Sequence, residues 1–164
     1  MKRVAIILGS DSDINVAEKS IEILKRLGLE FELNIISAHR TPENAREFAL
    51  SAREKNFGVI IAIAGKAAAL SGVLAAHTRL PVIGVPVSSK DLGGMDALLS
   101  TVQMPPGVPV ACVAIDGGAN AAWLAARMLA INDSELAGKL EGEALSMAEK
   151  VEQKNHELRK KYNQ

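Results

Sequence analysis

The chain has 164 residues, of which 48% are hydrophobic, and it carries 19 basic and 19 acidic side chains. This length fits one domain, residues 1–164, with a sizeable core. The balanced charge gives no field that would favour nucleic acid or an anionic membrane. Only 3% of the residues are aromatic. The core must therefore be filled by Ala, Val, Ile and Leu, and no stripe of aromatic and basic residues offers a surface for stacking bases.

The single cysteine, Cys112, excludes an internal disulfide and is too little for a zinc site. It lies in the apolar run 108–115, which predicts a buried small hydrophobic residue rather than a nucleophile. Nowhere do His, Cys, Asp and Glu cluster with metal-ligand spacing, so we expect no metal. No apolar run is long enough to span a bilayer. Because the first strand begins at Val4, we expect no signal peptide and a cytoplasmic protein.

Strand-like and helix-like segments alternate along the chain. Short apolar runs typical of buried parallel strands lie at 4–8, 31–36, 58–63, 81–85 and 109–115. Segments with helical spacing lie at 17–27, 42–56, 70–77, 95–102 and 119–130. Strand–helix units joined by right-handed crossovers produce a parallel sheet covered on both faces. The sequence thus predicts a three-layer α/β/α sandwich with flavodoxin-like architecture, and a core of residues 1–131.

The carboxy-terminal tail, residues 133–161, has a different character. It is rich in Glu and Lys and predicts one long amphipathic helix over 134–161. Its apolar stripe consists of Leu136, Leu140, Ala144, Met147 and Val151. Such a stripe needs a surface to cover, which is either its own domain or a neighbouring subunit. The tail is therefore a pointer to a homo-oligomer.

The second strand leads into Ser37, Ala38, His39 and Arg40, directly before Thr41, which can cap the next helix. Ligands bind at the carboxyl ends of strands in sheets of this class. Histidine exchanges protons near neutral pH, and arginine holds anions with a fork of donors. This loop is the strongest candidate for chemistry, with a solvated polar loop as the alternative.

The first strand leads into Gly9, Ser10, Asp11, Ser12 and Asp13. Glycine permits a tight turn, serine hydroxyls add donors, and the free N–H groups of a helix start attract phosphate. A carboxylate opposes phosphate and suits ribose hydroxyls instead. Helix capping is the alternative role, for Ser12 above all. The segment matches neither the nucleoside triphosphate loop nor the three-glycine dinucleotide pattern.

The third strand passes into a helix through Gly65, Lys66, Ala69 and Leu70. Small residues here let the backbone approach a ligand closely, and the helix start offers N–H donors. Lys66 either supplies a positive charge to the site or is simply solvated. After the fourth strand, paired glycines in 88–96 predict a mobile or tightly turned loop.

Taken together, these segments resemble the N5-carboxyaminoimidazole ribonucleotide mutases of purine biosynthesis. The likeness runs in the same order and spacing from Val4 to about Leu129. The matching segments are Gly9-Ser10-Asp11-Ser12-Asp13, Ser37-Ala38-His39-Arg40-Thr41-Pro42, Pro81-Val82-Ile83-Gly84-Val85-Pro86, Gln103-Met104-Pro105 and Asn120-Ala121-Ala122. The resemblance implies a flavodoxin-like sandwich, an octamer, and a carboxy-terminal helix that packs on neighbouring subunits.

The resemblance also implies a reaction. A carboxyl group moves from the exocyclic nitrogen to ring carbon C4 of an aminoimidazole ribonucleotide by decarboxylation and recarboxylation, without metal, ATP or organic cofactor. His39 is implied as the catalytic proton shuttle. Arg40 and the Ser10 loop would meet the phosphate, and Asp13 the ribose. The implied substrate-binding residues are Gly9, Ser10, Ser12, Asp13, Ser37, Ala38, Arg40, Gly65, Lys66, Ala69 and Leu70.

One segment departs from the mutase pattern. Mutases usually read Gly-Gly-Ala-Ala-His-Leu-Pro-Gly where this chain has residues 65–72, so the second active-site histidine is replaced by Ala69. Related enzymes that carboxylate aminoimidazole ribonucleotide directly with CO2 have a basic residue near Lys66 and end this segment in Ala-Leu-Ser-Gly. Those enzymes usually carry lysine where this chain has Arg40. A mutase is the leading interpretation, with a direct carboxylase or a catalytically impaired nucleotide-binding protein as alternatives.

Overall fold

The computed structural model describes residues 2–163. One parallel sheet runs through it in the order β2-β1-β3-β4-β5. Its strands are β1 (Arg3–Leu8), β2 (Phe31–Ile35), β3 (Phe57–Gly65), β4 (Val82–Val87) and β5 (Ala111–Cys112). The helices are α1 (Ile14–Leu27), α2 (Pro42–Ser51), α3 (Leu70–His77), α4 (Met95–Val102), α5 (Gly118–Ala130) and α6 (Ser134–Tyr162). The predicted flavodoxin-like sandwich is confirmed.

The two faces of the sheet have separate apolar cores. Helices α1 and α5 cover one face, and α2, α3 and α4 cover the other. In β1, Val4, Ile6 and Leu8 point into the first core, whereas Ala5 and Ile7 point into the second. Burial on both faces explains why the strand is a continuous apolar run rather than an alternating one.

Helices α1 and α5 approach closely at one point. The hydroxyl of Ser20, which is fully buried, donates a hydrogen bond of 2.7 Å to the carbonyl of Gly118. A Cβ atom at position 118 would lie 2.1 Å from the backbone oxygen of Val16. Because backbone cannot move aside as a flexible side chain can, this crossing requires glycine.

Two elements differ from the prediction. Strand β5 covers Ala111–Cys112 rather than 109–115, since Pro109 has no N–H for the ladder and β5 lies at the edge of the sheet. Helix α2 ends at Ser51 rather than near 56. Asn56 adopts a φ of 65°, a left-handed conformation that ends the helical turns before β3.

Helix α6 begins where the side chain of Asp133 accepts a hydrogen bond of 3.0 Å from the N–H of Leu136. Leu136 is fully buried in the core shared by α1 and α5, so the start of the helix covers its own domain. Farther along, the apolar residues are exposed, and Val151 is 65% exposed. The predicted stripe is therefore divided between a covered part and an uncovered part.

Candidate active site

A cleft of about 550 Å³ opens at the carboxyl edge of the sheet, beside β1. Chain order reverses here, because the chain passes from β1 outward to β2 and then back across to β3. The loops after β1, β2, β3 and β4 form its walls. All twelve residues predicted for the site line it: Gly9, Ser10, Ser12, Asp13, Ser37, Ala38, His39, Arg40, Gly65, Lys66, Ala69 and Leu70.

The loop after β1 is closed by a capping box. The Ser10 side chain accepts the N–H of Ser12 at 3.4 Å, and the Asp13 carboxylate accepts the N–H of Ser10 at 3.2 Å. Ser10 thus caps the short 3-10 turn Asp11–Asp13, and Asp13 rather than Ser12 is the N-cap residue of α1, without a side-chain capping bond. The Ser12 hydroxyl instead donates to the other carboxylate oxygen of Asp13 at 3.3 Å. These bonds fix the turn before any ligand arrives.

Asp13 is the buried carboxylate of the cleft, with only 6% of its surface exposed. Burial raises its pKa above the usual value for Asp, while the bonds from Ser12 and Ser10 pull the pKa in the opposite direction. Each carboxylate oxygen accepts one protein hydrogen bond and retains a second lone pair. The group can therefore both brace its loop and accept a hydroxyl from a ligand.

The loop after β2 is held by a reciprocal pair of bonds. The Ser37 N–H donates to Oγ1 of Thr41 at 3.1 Å, and the same hydroxyl donates to the Ser37 carbonyl at 3.0 Å. Thr41 is the N-cap residue of α2, as predicted, but its side chain makes no capping bond because its hydroxyl closes the loop instead. His39 and Arg40 are presented on the outside of this closed loop, exposed to the cleft.

Arg40 is oriented toward the first loop. Its Nε donates to the Ser37 hydroxyl at 3.3 Å, and Nη2 lies 3.5 Å from the carbonyl oxygen of Gly9. The guanidinium therefore stands beside the Ser10 turn and supplies positive charge on this side of the cleft. The Ser10 and Ser12 hydroxyls of that turn donate to Asp11 at 2.9 Å and to Asp13 at 3.3 Å.

The loop after β3 carries the second cation. Lys66 has a φ of 55°, and its Nζ lies 2.9 Å from a carboxylate oxygen of Asp91 in the loop after β4. The hydrogen bond to Asp91 raises the pKa of Lys66, so the ammonium stays protonated. Ala69 is the N-cap of α3 and supplies no side-chain cap. The start of α3 faces the cleft without a capping group of its own.

The loop after β4 adds Ser88 and Ser89, which are not among the site residues predicted from the sequence. The Ser88 N–H donates to Oδ1 of Asp116 at 2.9 Å, which ties this loop to the segment after β5. Oγ of Ser89 is buried and lacks a hydrogen-bond partner among the described residues. Buried hydroxyls normally have a partner, so Ser89 is suited to meet a ligand. The sequence signal that could have identified Ser89 is its position directly after β4, because β4 lies next to β3.

Other sequence features lie outside the cleft. Cys112 is half-buried rather than fully buried, and burial raises the pKa of its thiol. Met104 packs against α3, where its sulfur would lie 3.2 Å from a Cβ at Gly72. Within residues 2–163, no group of three His, Cys, Asp or Glu side chains is arranged to hold a metal ion. None of the described helices combines the length and apolar character needed to cross a membrane.

Comparisons with known proteins agree with this architecture. Residues 3–150 match the model of the AIR carboxylase family. The chain is 54% identical over 155 residues to the N5-carboxyaminoimidazole ribonucleotide mutase of Pyrococcus horikoshii, which covers 94% of this chain and 88% of that protein. The mutase of Thermotoga maritima is 49% identical over 160 residues, with 93% and 94% covered. The crystal structure of Treponema denticola PurE matches with a TM-score of 0.87 at 33% identity, covering 94% of this chain and 97% of that one.

Proposed function

Because the chain belongs to the AIR carboxylase family, we propose that it acts as an N5-carboxyaminoimidazole ribonucleotide mutase, an isomerase of purine biosynthesis. The observation that carries this function is the convergence of His39, Arg40 and the capped loop 9–13 in one cleft. An imidazole, a guanidinium and a buried carboxylate thereby surround a cleft of about 550 Å³, which offers room for a ribonucleotide.

The reaction requires one proton donor and acceptor. When the bond between the exocyclic nitrogen and the carboxyl carbon breaks, CO2 leaves and the nitrogen gains a proton. When C4 attacks CO2, a new C–C bond forms and C4 loses its proton. The two proton transfers balance, so one imidazole can give a proton in the first step and recover one in the second. His39 is the histidine that lines the cleft, and we assign it this role.

The rest of the cleft would bind and orient the ribonucleotide. Arg40 would hold the phosphate together with the Ser10 turn, whose serine hydroxyls would rotate from Asp11 and Asp13 toward it. Asp13, with its two free lone pairs, would accept the ribose hydroxyls. The remaining predicted contacts, Gly9, Ser12, Ser37, Ala38, Gly65, Lys66, Ala69 and Leu70, would complete the walls. We add Ser89, whose buried hydroxyl lacks a partner in the described structure.

Two other activities were consistent with the sequence, namely direct carboxylation by CO2 and nucleotide binding without turnover. The relatives that match over most of their own length, at 49 to 55% identity, are named mutases, which favours the mutase. Two relatives named phosphoribosylaminoimidazole carboxylase, at 51% and 48% identity, match over only 26% and 28% of their length. The decisive experiment supplies purified protein either with the N5-carboxy substrate in bicarbonate-free buffer or with aminoimidazole ribonucleotide and bicarbonate. A mutase forms 4-carboxy-5-aminoimidazole ribonucleotide rapidly from the first substrate and slowly from the second.

A matched variant identifies the proton shuttle. His39→Asn keeps a polar side chain of similar size but cannot exchange protons near neutral pH. We expect it to lose at least about a hundredfold in turnover while still binding the product. Near-normal turnover in this variant would show that another group moves the proton.

We also propose a homo-octamer acting in the cytoplasm. Two uncovered apolar surfaces support an assembly. One is the outer face of α4, formed by Met95, Leu99 and Val102 together with Leu92 in the preceding loop, and the other is the distal part of α6, formed by Met147, Val151, Leu158 and Tyr162. Exposed apolar residues grouped in this way are typical of interfaces between protein chains. The relatives are named as biosynthetic enzymes, which supports a cytoplasmic location.

A further inference from the structure

Two side chains on the cleft carry permanent positive charges, and they stand on opposite sides of it. Arg40 follows β2, and Lys66 follows β3. Strand β1 lies between these two strands, so their ends are separated by two strand spacings, about 10 Å. In this structure each cation has its own region of the cleft, because Arg40 is held by Ser37 and Gly9 and Lys66 is held by Asp91.

We propose that Lys66 binds the migrating carboxylate of the substrate, and that Asp91 competes with this carboxylate for the ammonium group. The inference rests on the proposed mutase function. A carboxylated aminoimidazole ribonucleotide has one anion at each end, the phosphate and the carboxylate. Arg40 stands beside the Gly9 and Ser10 turn, and the proposed function assigns it to the phosphate end. Lys66 is left to face the carboxylate end.

The contact between Lys66 and Asp91 is suited to exchange. The two charged atoms are 2.9 Å apart, yet the side chains are 73% and 66% exposed. Ion pairs as exposed as this contribute little to stability, because water solvates both charges. A substrate carboxylate that is also held by the phosphate and ribose contacts can replace Asp91 without a large penalty. Asp91 then acts as a counter-ion that occupies Lys66 when the cleft is empty.

The backbone of Lys66 provides a matched pair of variants. Its φ of 55° lies in the left-handed region, which glycine adopts without steric cost. Lys66→Gly therefore removes the charge without straining the loop, whereas Lys66→Met removes the charge and keeps the length of the side chain. Agreement between the two variants separates loss of charge from loss of packing. Lys90→Met, in the exposed loop after β4, removes one positive charge at a different position and is the control for the change in net charge.

The test compares two ligands that differ only in the carboxylate. Calorimetry measures the dissociation constants of 4-carboxy-5-aminoimidazole ribonucleotide and aminoimidazole ribonucleotide for each protein. In both Lys66 variants we expect the carboxylated ligand to bind about tenfold more weakly, since a charge-assisted contact is lost, with no comparable change for the other ligand. Asp91→Asn should bind the carboxylated ligand more tightly than the parent does. Lys90→Met should match the parent for both ligands.

Several outcomes would overturn the inference. Equal weakening of both ligands in the Lys66 variants would place Lys66 on the shared part of the ribonucleotide. Unchanged affinity for both would leave it solvated, and weaker binding of the carboxylated ligand to Asp91→Asn would make Asp91 a support rather than a competitor. If the parent protein bound neither ligand, the proposed function itself would fail, a result distinct from all of these.

Discussion

Replacing Asp13 with Asn separates the two roles that the structure gives this residue. The side chain closes a capping box and also faces the cleft. Asparagine keeps a carbonyl oxygen for the N–H of Ser10 and offers donors to the Ser12 hydroxyl, so most of the cap survives. Loss of a complete cap costs about 1 kcal/mol, and removing a buried charge offsets part of this. We expect the free energy of unfolding at pH 7 to change by less than about 1 kcal/mol.

Ligand affinity should respond far more strongly. A carboxylate that accepts ribose hydroxyls contributes about 1.5–3 kcal/mol, so Asp13→Asn should bind the product ribonucleotide at least about tenfold more weakly. Urea denaturation and calorimetry measure the two effects, and Glu18→Gln, exposed on α1 and away from the cleft, is the control expected to preserve affinity. A loss of stability above about 3 kcal/mol with unchanged affinity would refute the ribose role and leave Asp13 as a cap only.

The same variant has a defined pH dependence. Burial raises the pKa of Asp13 in the folded protein, so the native state binds this proton more tightly than the unfolded state. The stability contributed by this proton is present below the ordinary Asp pKa and is lost as pH rises through the raised pKa. The parent should therefore gain stability relative to Asp13→Asn as the pH falls through this acidic window. The opposite trend in urea midpoints would contradict the burial argument.

Three further predictions concern the anion site, the assembly and the atypical loop. Arg40→Ala should weaken binding of the product ribonucleotide by about tenfold or more in calorimetry, with Arg40→Lys less affected, and unchanged affinity would mean that the guanidinium does not meet the phosphate. Truncation before Ser134 should reduce the molar mass found by light scattering, and a monomeric full-length chain would contradict the octamer. Ala69→His should leave the mutase rate within a few-fold of the parent, because His39 carries the proton; a gain of about a hundredfold would show that the parent is impaired.

Local sequence determined much of the fold. Helices α3 and α4 have the bounds that the apolar spacing predicted, and Gly28, with a φ of 71°, ends α1 at the predicted residue. The predicted length of β5 was too great because an apolar run indicates that residues are buried. It does not indicate how many hydrogen-bonding partners a strand has at the edge of a sheet. Only the three-dimensional sheet reveals that edge.

The site was predictable where it depends on topology and less so where it depends on side-chain contacts. Loops after parallel strands must meet at one edge, and the predicted residues of three loops do so. The pairing of Lys66 with Asp91, 25 residues apart, depends on loop geometry that neither segment determines alone. The burial of the Ser89 hydroxyl could not be predicted from the sequence for the same reason, since serine in a glycine-rich loop is usually solvated.

The close crossing of α1 and α5 has a consequence for the order in which the protein folds. Strands β1, β2 and β3 and helix α1 all lie in the first 65 residues, so their contacts form over short stretches of chain. The partner of Ser20 on α1 is Gly118, 98 residues later. During synthesis, which adds residues from the amino terminus onward, the apolar face of α1 therefore waits uncovered until α5 has emerged. Once α4 has been synthesised, one face of the nascent sheet has all its helices, while the other lacks α5 until residues 118–130 are added.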